Sequence, residues 1–253
     1  MSYIRGYYRL SLSALILIIC AVFIVITSYL PITIKKVPLP LRIAQLMVLS
    51  ILWLLNVRTT CADKGKLQGF DGFFFPNHVS YLEVLALFGI MPTRFLAKAE
   101  IKDWWVVGRI ATAIGCVYVQ RGDKESRREA RQALTEVETF PPITIFPEGK
   151  RGPGDALLPF RYGAFEIVTQ GSFAFLPIAA TFSNLEIAIW HRKENILKAL
   201  WRLASQPERI EVTIVPLKEY YPTPDDDPIV LAGQVQKMLT AVLFPTTTHS
   251  ETG

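Results

Sequence analysis

Residues 73–88 read FFFPNHVSYLEVLALF, a stretch in which two apolar runs flank a short polar loop. The three phenylalanines predict a buried β-strand, and the run from Val84 to Phe88 predicts a helix. From about residue 67 onward, short apolar runs alternate with amphipathic stretches in the same way. This alternation predicts an α/β fold with a central, mostly parallel sheet flanked by helices.

The other predicted elements follow from the same pattern. Strands are expected at 72–75, 116–119, 143–146, 173–181 and 210–216. Helices are expected at 80–88, 102–114, 123–140, 161–170, 194–204 and 229–244. No internal repeat is visible. We therefore expect one domain over residues 59–244, followed by a flexible tail at 245–253.

The first 58 residues are expected to form a membrane anchor. Residues 10–34 run for 25 positions without a charge. As a helix they would reach roughly 37 Å and could span a bilayer core of about 30 Å as a transmembrane segment. The alternative is a cleaved signal peptide, whose apolar core is shorter and ends at a small-residue cleavage site. Residues 43–57 are too short to span, and we expect an interfacial helix or a hairpin partner there.

The charge distribution favours a membrane lipid partner and argues against nucleic acid. Six of the 27 Lys and Arg residues lie within residues 1–60, where there is no acidic residue, so the basic excess accompanies the most apolar part of the chain. The three cysteines and three histidines are widely spaced. They give neither a disulfide framework nor a zinc site, so we expect no metal and no cofactor.

The polar loop at 77–83 allows two interpretations. A histidine at the exit of a buried strand is suited to base chemistry, because imidazole gains and loses a proton near neutral pH. His78 and Glu83 would point in different directions on one regular helix, so they can meet only if His78 precedes the first turn. Alternatively, Ser80 and Glu83 form an S-x-x-E capping box and His78 takes no part.

A second polar cluster follows the predicted strand at 143–146, where residues 146–152 read FPEGKRG. Its glycines permit close backbone approach, and Lys150 and Arg151 offer a point charge and a bidentate fork suited to phosphate. Arg121 adds a third cationic strand end. Ligands bind at such edges of α/β sheets, although a polar turn would use the same residue types. The spacing of a Walker loop is absent, as is the G-x-S-x-G elbow of a serine hydrolase.

In combination, these clusters resemble the motifs of the lysophospholipid and glycerolipid acyltransferase family, most closely its bacterial 1-acyl-sn-glycerol-3-phosphate acyltransferases. The family motif N-H-x-S-x-x-D is similar to Asn77, His78, Ser80 and Glu83. The motif G-x-x-F-x-x-R is similar to Gly115, Tyr118 and Arg121, and F-P-E-G-T-R-S is similar to residues 146–152. A strand with a central proline is similar to residues 175–179. The resemblance covers roughly residues 41–221, with three departures: Glu83 for Asp, Lys150 for Thr and Gly152 for Ser.

The resemblance implies a glycerolipid acyltransferase fold and acyl transfer from acyl-CoA or acyl carrier protein to a lysophospholipid acceptor. The expected reaction acylates the sn-2 hydroxyl of 1-acyl-glycerol 3-phosphate and gives phosphatidic acid for phospholipid biosynthesis. The implied catalytic residues are His78 and Glu83. The implied phosphate-binding residues are Arg121, Glu148, Gly149, Lys150 and Arg151. The implied supporting residues are Asn77, Ser80, Pro147 and Arg161. The catalytic domain is then expected at the membrane, on its cytoplasmic face.

Two alternatives stay open from the sequence. The acceptor could be glycerol 3-phosphate, another lysophospholipid or a lyso-aminolipid. The chain could also be a membrane adaptor that retains the fold without activity. Such a protein would have little use for the combination of Asn77, His78, Glu148 and Arg151.

Overall fold

The computed structural model describes residues 2–120, 122–191 and 193–245. Its helices are α1 Ser2–Thr27, α2 Leu39–Leu54, α3 Leu82–Ile90, α4 Val107–Ala113, α5 Lys124–Thr135, α6 Gly163–Gln170, α7 Leu185–Ala188, α8 Ile196–Ser205 and α9 Pro228–Leu243. Its strands are β1 Thr33–Ile34, β2 Val37–Pro38, β3 Val57–Cys61, β4 Phe73–Pro76, β5 Arg94–Lys98, β6 Val117–Val119, β7 Ile143–Thr144, β8 Phe175–Phe182 and β9 Ile210–Pro216. A short 3-10 helix, Ala99–Asp103, precedes α4.

A seven-stranded sheet with the order β3-β9-β8-β4-β7-β5-β6 forms the centre of the molecule. All neighbouring strands are parallel except β8 and β9, which pair antiparallel. Strand β4 lies in the middle, between β8 and β7, so the loop that follows it leaves from the centre of one sheet edge. The predicted α/β fold with a mostly parallel sheet is confirmed.

The two faces of the sheet are covered by different helices. Phe74 of β4 packs into a core shared with α2, α3, α4 and α8. Phe73 and Phe75 point the other way, into a core shared with α5, α6 and α9. Successive side chains of a strand alternate between faces, so a fully apolar strand such as β4 is what a sheet buried on both sides requires. All three rings are completely buried.

The N-terminal helix differs in its bounds from the expected 10–34. It begins at Ser2 and ends at Thr27, and residues 33–38 form a small antiparallel β-hairpin instead of continuing the helix. Arg5 and Arg9 lie within this helix, and their guanidinium groups bind the carbonyls of Ser205 and Ala204 at the end of α8. Helix α1 is the one helix in the described residues that is long and apolar enough to cross a membrane.

Helix α2 covers residues 39–54 rather than the expected 43–57, because Pro40 can occupy the first turn of a helix. It packs against α1 through a shared apolar cluster, as a hairpin partner would. Residues 57–61 form β3, which pairs with β9 and begins the sheet earlier than the sequence pattern indicated.

Most other predicted elements are present with shifted ends. Strands β3 and β5 and the short helix α7, like the hairpin of β1 and β2, have no matching expectation. The helix expected at 102–114 is divided into the 3-10 helix and α4, and the helix expected at 123–140 ends at Thr135. Residues beyond Thr135 instead approach β7, where Arg94 binds the carbonyls of Glu138 and Pro141. The expected tail lies outside the described residues from 246 onward.

Candidate active site

The imidazole of His78 lies in the loop after β4 and is paired with a buried carboxylate. Its Nδ1 is 2.7 Å from Oε1 of Glu83, which lies in the first turn of α3. The Glu83 side chain is 1% exposed, whereas that of His78 is 18% exposed. The opposite ring nitrogen, Nε2, makes no hydrogen bond to the described residues. The ring is therefore oriented from one side and open on the other.

Glu83 also binds the backbone of the loop that precedes it. Its Oε1 accepts backbone N–H groups from Val79 at 3.0 Å and from Ser80 at 2.9 Å. The Ser80 hydroxyl accepts the N–H of Leu82 at 3.2 Å. The structure thus combines the two sequence interpretations, because one carboxylate both caps the turn and faces the imidazole.

Glu148 joins the second polar cluster to the first. Its Oε1 accepts the backbone N–H of His78 at 2.7 Å, and its Oε2 accepts that of Leu158 at 2.9 Å. The backbone N–H of Gly152 donates back to the His78 carbonyl at 2.7 Å. Burial raises the pKa of the Glu148 carboxyl, and the hydrogen bonds from the N–H groups of Leu158 and His78 act against that rise. Each carboxylate oxygen of Glu148 accepts one backbone N–H, so Glu148 joins the loop of His78 to the 146–152 turn.

Asn77 fixes the end of β4 to the neighbouring strand. Its side-chain oxygen accepts the backbone N–H of Ala180 at 2.7 Å, and its Nδ2 donates to the carbonyl of the same residue at 3.2 Å. Asn77 is 2% exposed. A buried amide satisfied on both sides sets the point from which the 77–83 loop leaves the sheet.

The glycine at 149 is required by the shape of the 146–152 turn. Gly149 has φ +68, and a Cβ there would lie 2.7 Å from Nε of Arg161. The backbone N–H of Arg161 donates to the Pro147 carbonyl at 2.9 Å, which brings this arginine over the turn. Lys150 is exposed. The turn therefore combines close backbone packing with two accessible cations, Lys150 and Arg161.

Arg151 lies against a residue that the sequence pattern did not single out. Its Cζ is 3.5 Å from the centroid of the Trp190 ring, a cation–π arrangement. Burial lowers the pKa of the Arg151 guanidinium, and the carboxylates of Glu83 and Glu194 raise it. Trp190 follows α7 and belongs to no motif of the sequence, so only the packing reveals it.

A cavity of about 200 Å³ lies beside the 146–152 turn. The ring of His78 packs on Phe146, with centroids 4.2 Å apart, and Phe146 also lines the cavity. Its lining combines three arginines with apolar side chains: Arg127, Arg131 and Arg161 with Leu96, Val119, Ala130, Leu134, Ile145, Ala164 and Ile167. Through Phe146, this cavity shares a wall with the imidazole.

The structure brings most of the residues implied by the resemblance into one region at the C-terminal end of β4. These are Asn77, His78, Ser80, Glu83, Pro147, Glu148, Gly149, Lys150, Arg151 and Arg161. Arg121 lies outside the described residues. Within the described part of the chain there is no group of three or more His, Cys, Asp or Glu residues that could hold a metal ion.

A family model described as Acyltransferase matches residues 63–181, a span that contains every residue of the two polar clusters. Residues 63–181 of this chain match an acyltransferase domain. The resemblance read from the motifs is therefore confirmed, and the His78 and Glu83 pair lies inside the matched residues.

The relatives of this chain are named for several different acyltransferase activities. The chain is 31% identical over 180 residues to a lysophospholipid acyltransferase of Arabidopsis thaliana, covering 66% of this chain and 44% of that protein. It is 30% identical over 107 residues to a 1-acyl-sn-glycerol-3-phosphate acyltransferase of Neisseria gonorrhoeae, covering 42% of each. It is 28% identical over 180 residues to a lyso-ornithine lipid O-acyltransferase of Pseudomonas aeruginosa, covering 70% of this chain and 69% of that protein.

The chain spans less than half the length of the first two of these relatives. A solved structure shows the same fold over nearly the whole chain. It is the 1-acyl-sn-glycerophosphate acyltransferase PlsC of Thermotoga maritima, with a TM-score of 0.70, 16% identity and 96% of each chain covered. The likeness therefore extends from the acyltransferase domain to the N-terminal helices.

Proposed function

We propose that the chain is an O-acyltransferase that moves a fatty acyl group from a thioester, acyl-CoA or acyl carrier protein, to the sn-2 hydroxyl of 1-acyl-glycerol 3-phosphate. The product is phosphatidic acid. One observation carries this proposal: an imidazole paired with a buried carboxylate at 2.7 Å, on a loop bound to the arginine-bearing 146–152 turn. The acyltransferase family match supports the reaction class.

The geometry supports His78 as the general base. Because Nδ1 faces Glu83, the Nε2 atom is available to take the proton from the acceptor hydroxyl as its oxygen attacks the thioester carbonyl. The tetrahedral intermediate then expels the thiolate, which recovers the proton from the imidazolium. Glu83 fixes the tautomer and stabilises the imidazolium while it exists, as the carboxylate does in a catalytic triad.

The cationic turn is proposed to bind the phosphate of the acceptor. Arg151, Lys150 and Arg161 supply positive charge, and Gly149 allows the backbone to approach closely. Arg121 is proposed to join them. Glu148 is proposed to act through position, because its carboxylate would repel a phosphate and is already bound to two N–H groups.

The cavity beside Phe146 is proposed to take up part of the acyl chain. It adjoins the turn at Gly149, and aliphatic side chains form half of its lining, beside three arginines. A thioester carbonyl at its mouth would lie near the imidazole, because His78 packs on Phe146 of the same lining. The hydrophobic effect then favours the acyl chain in this position.

The N-terminal helix is proposed to hold the domain at the membrane, on the cytoplasmic face, so that the acceptor arrives from the bilayer and the thioester from water. Helix α1 exposes large apolar side chains along one side, including Leu15, Ile18, Val22 and Phe23. A long apolar helix of this kind suits a bilayer.

A second acceptor class has support from the relatives. The lyso-ornithine lipid O-acyltransferase of Pseudomonas aeruginosa matches about 70% of each chain, a larger share than the glycerolipid relative from Neisseria gonorrhoeae. The candidate alternative is therefore O-acylation of a lyso-aminolipid by the same catalytic pair.

An acceptor panel separates these possibilities. Membranes containing the full chain are incubated with radiolabelled oleoyl-CoA and, in separate reactions, with 1-acyl-glycerol 3-phosphate, lysophosphatidylethanolamine, glycerol 3-phosphate and lyso-ornithine lipid. We expect labelled phosphatidic acid to form fastest. Faster labelling of the lyso-ornithine lipid would replace the proposed acceptor by the alternative. The absence of labelled lipid from every reaction would contradict the proposal that the chain is an acyltransferase.

A further inference from the structure

The segment between β8 and α8 contributes a third side to the site. Ser80 donates its hydroxyl proton to the carbonyl of Ala188, with the two oxygens 2.5 Å apart. The backbone N–H of Trp190 donates to the Val79 carbonyl at 3.3 Å. This segment is thus hydrogen-bonded directly to the loop that carries His78.

Partly buried side-chain contacts hold Trp190 in that segment. Its indole N–H donates to the carbonyl of Glu194 at 2.9 Å. Arg202 of α8 binds the carboxylate of Glu194 and the carbonyls of Ile187 and Ile189. The indole is therefore held at its N–H, and Arg202 binds the segment on both sides of Trp190.

The indole covers one face of the Arg151 guanidinium at 3.5 Å. Stacking of this kind leaves the N–H groups in the guanidinium plane free, and these are the groups that bind an anion in a bidentate manner. One of them is not satisfied by the protein: Nη1 of Arg151 is buried and has no hydrogen-bond partner among the described residues. A buried donor without a partner is costly, so a ligand that accepts from it gains stability.

Two carboxylates also face this arginine, and neither occupies the free donor. Oε2 of Glu83 and Oε2 of Glu194 are both buried without a hydrogen-bond partner among the described residues. Glu194 already forms an ion pair with Arg202 through its other oxygen, and Glu83 is paired with His78. Their charges are therefore partly offset elsewhere, which leaves the charge of Arg151 for an anion.

We propose that Trp190 is a positioning residue that holds Arg151 with its free N–H groups directed to the anionic group of the acceptor. The inference rests on the proposed function and adds to it a residue outside every motif. Trp190 acts through Arg151 and has no direct role in proton transfer. Its removal should therefore weaken binding of the anionic acceptor and spare the thioester.

The test compares two substitutions at Trp190. Trp190→Phe loses the indole N–H but keeps an aromatic face, whereas Trp190→Leu loses both. With oleoyl-CoA and 1-oleoyl-glycerol 3-phosphate in mixed micelles, Trp190→Leu should raise the acceptor KM about 5- to 30-fold and Trp190→Phe less than about threefold. The KM for oleoyl-CoA should change in neither variant. Equal rises in the two variants, or a rise in both KM values, would overturn the proposal.

A double-mutant cycle shows whether the effect passes through Arg151. Arg151→Ala alone should raise the acceptor KM, and adding Trp190→Leu to it should cause no further rise. If Arg151→Ala leaves the acceptor KM unchanged, the proposed phosphate role of the turn fails. If Arg151→Ala raises it while Trp190→Leu does not, only the inference about Trp190 fails. Trp105→Leu, at an exposed tryptophan, is the control for loss of an indole.

Discussion

His78 is held by hydrogen bonds to its backbone as well as to its imidazole ring. Its N–H is bound by Glu148, its carbonyl accepts from Gly152, and its Nδ1 faces Glu83. Three neighbours, two in the 146–152 turn and one in the first turn of α3, thus define one ring position. Such fixation keeps a base within reach of its proton without reorganisation during the reaction.

The charge of Glu83 is the first property to test at this pair. Glu83→Gln keeps the size and a hydrogen-bonding group but cannot stabilise an imidazolium, so we expect kcat to fall about 10²- to 10⁴-fold. Glu83→Asp keeps the charge and should retain more activity than Glu83→Gln. Steady-state kinetics with saturating thioester and acceptor measure both. Equal activity of Glu83→Gln and the parent chain would leave Glu83 with a capping role alone.

Gly152 is where a single methyl group should disturb the site. An added Cβ would lie 2.8 Å from Oε2 of Glu148, the oxygen that holds the backbone N–H of Leu158. We therefore expect Gly152→Ala to displace Glu148 and to lower kcat roughly 10- to 100-fold, because small misplacements of catalytic groups are costly.

The matched control for that substitution is Gly233→Ala in α9. A Cβ at Gly233 meets no atom within 4 Å, and alanine favours a helix. Gly233→Ala should leave kcat unchanged. The same loss in both variants would show that Gly152→Ala acts through general instability instead of through Glu148.

At the level of helices and strands, the sequence was informative where apolar runs are continuous. The strand at Ile210–Pro216 was predicted with its observed ends, and β4 was predicted within one residue. Strands β3 and β5 were missed because basic and polar residues interrupt their apolar pattern: Arg58, Thr59 and Thr60 in one, and Arg94 and Lys98 in the other. Pairing with a neighbouring strand, which no local pattern reports, makes them strands.

The same limit applies to the site. The clusters at 77–83 and 146–152 were found because each carries several polar residues directly after a strand. The sequence could not show that Glu148 binds the His78 backbone, or that Trp190 covers Arg151, because these contacts join segments far apart in the chain. Local spacing also presented capping and catalysis as alternatives at Glu83, whereas one carboxylate oxygen makes both sets of contacts.

The junction between α1 and α8 gives a prediction about stability. Arg9 donates to the carbonyls of Ala204 and Gln206 at 3.1 and 2.7 Å, so it satisfies groups that the end of α8 would otherwise leave unpaired. Hydrogen bonds to a charged group contribute about 1.5 to 3 kcal/mol, so Arg9→Ala should lower the melting temperature in detergent by about 3 to 10 °C.

Arg58→Ala is the control for loss of an arginine. Arg58 pairs with Glu211 at 3.4 Å on the surface, and both side chains are about half exposed. Exposed ion pairs contribute about 0 to 1 kcal/mol. The two melting temperatures should therefore differ clearly, and equal shifts would mean that the arginine at position 9 does not hold α8.

For the molecule as a whole, the exposed apolar side of α1 predicts firm membrane attachment. Washing membranes with high salt or alkaline carbonate should leave the full chain in the pellet, whereas detergent should release it, because apolar burial in lipid is insensitive to salt. The fraction in each supernatant is measured by immunoblotting. Release by salt alone would show that basic residues, not the helix, hold the chain at the surface.

The central claim is that His78 is the base of an acyl transfer to a lipid hydroxyl. The direct measurement is the rate of transfer from labelled oleoyl-CoA to 1-oleoyl-glycerol 3-phosphate by the purified full chain and by His78→Ala, both at saturating substrates. Loss of the base should lower kcat about 10²- to 10⁴-fold while the melting temperature stays close to that of the parent chain. A His78→Ala variant that transfers the acyl group at the parent rate would contradict the account.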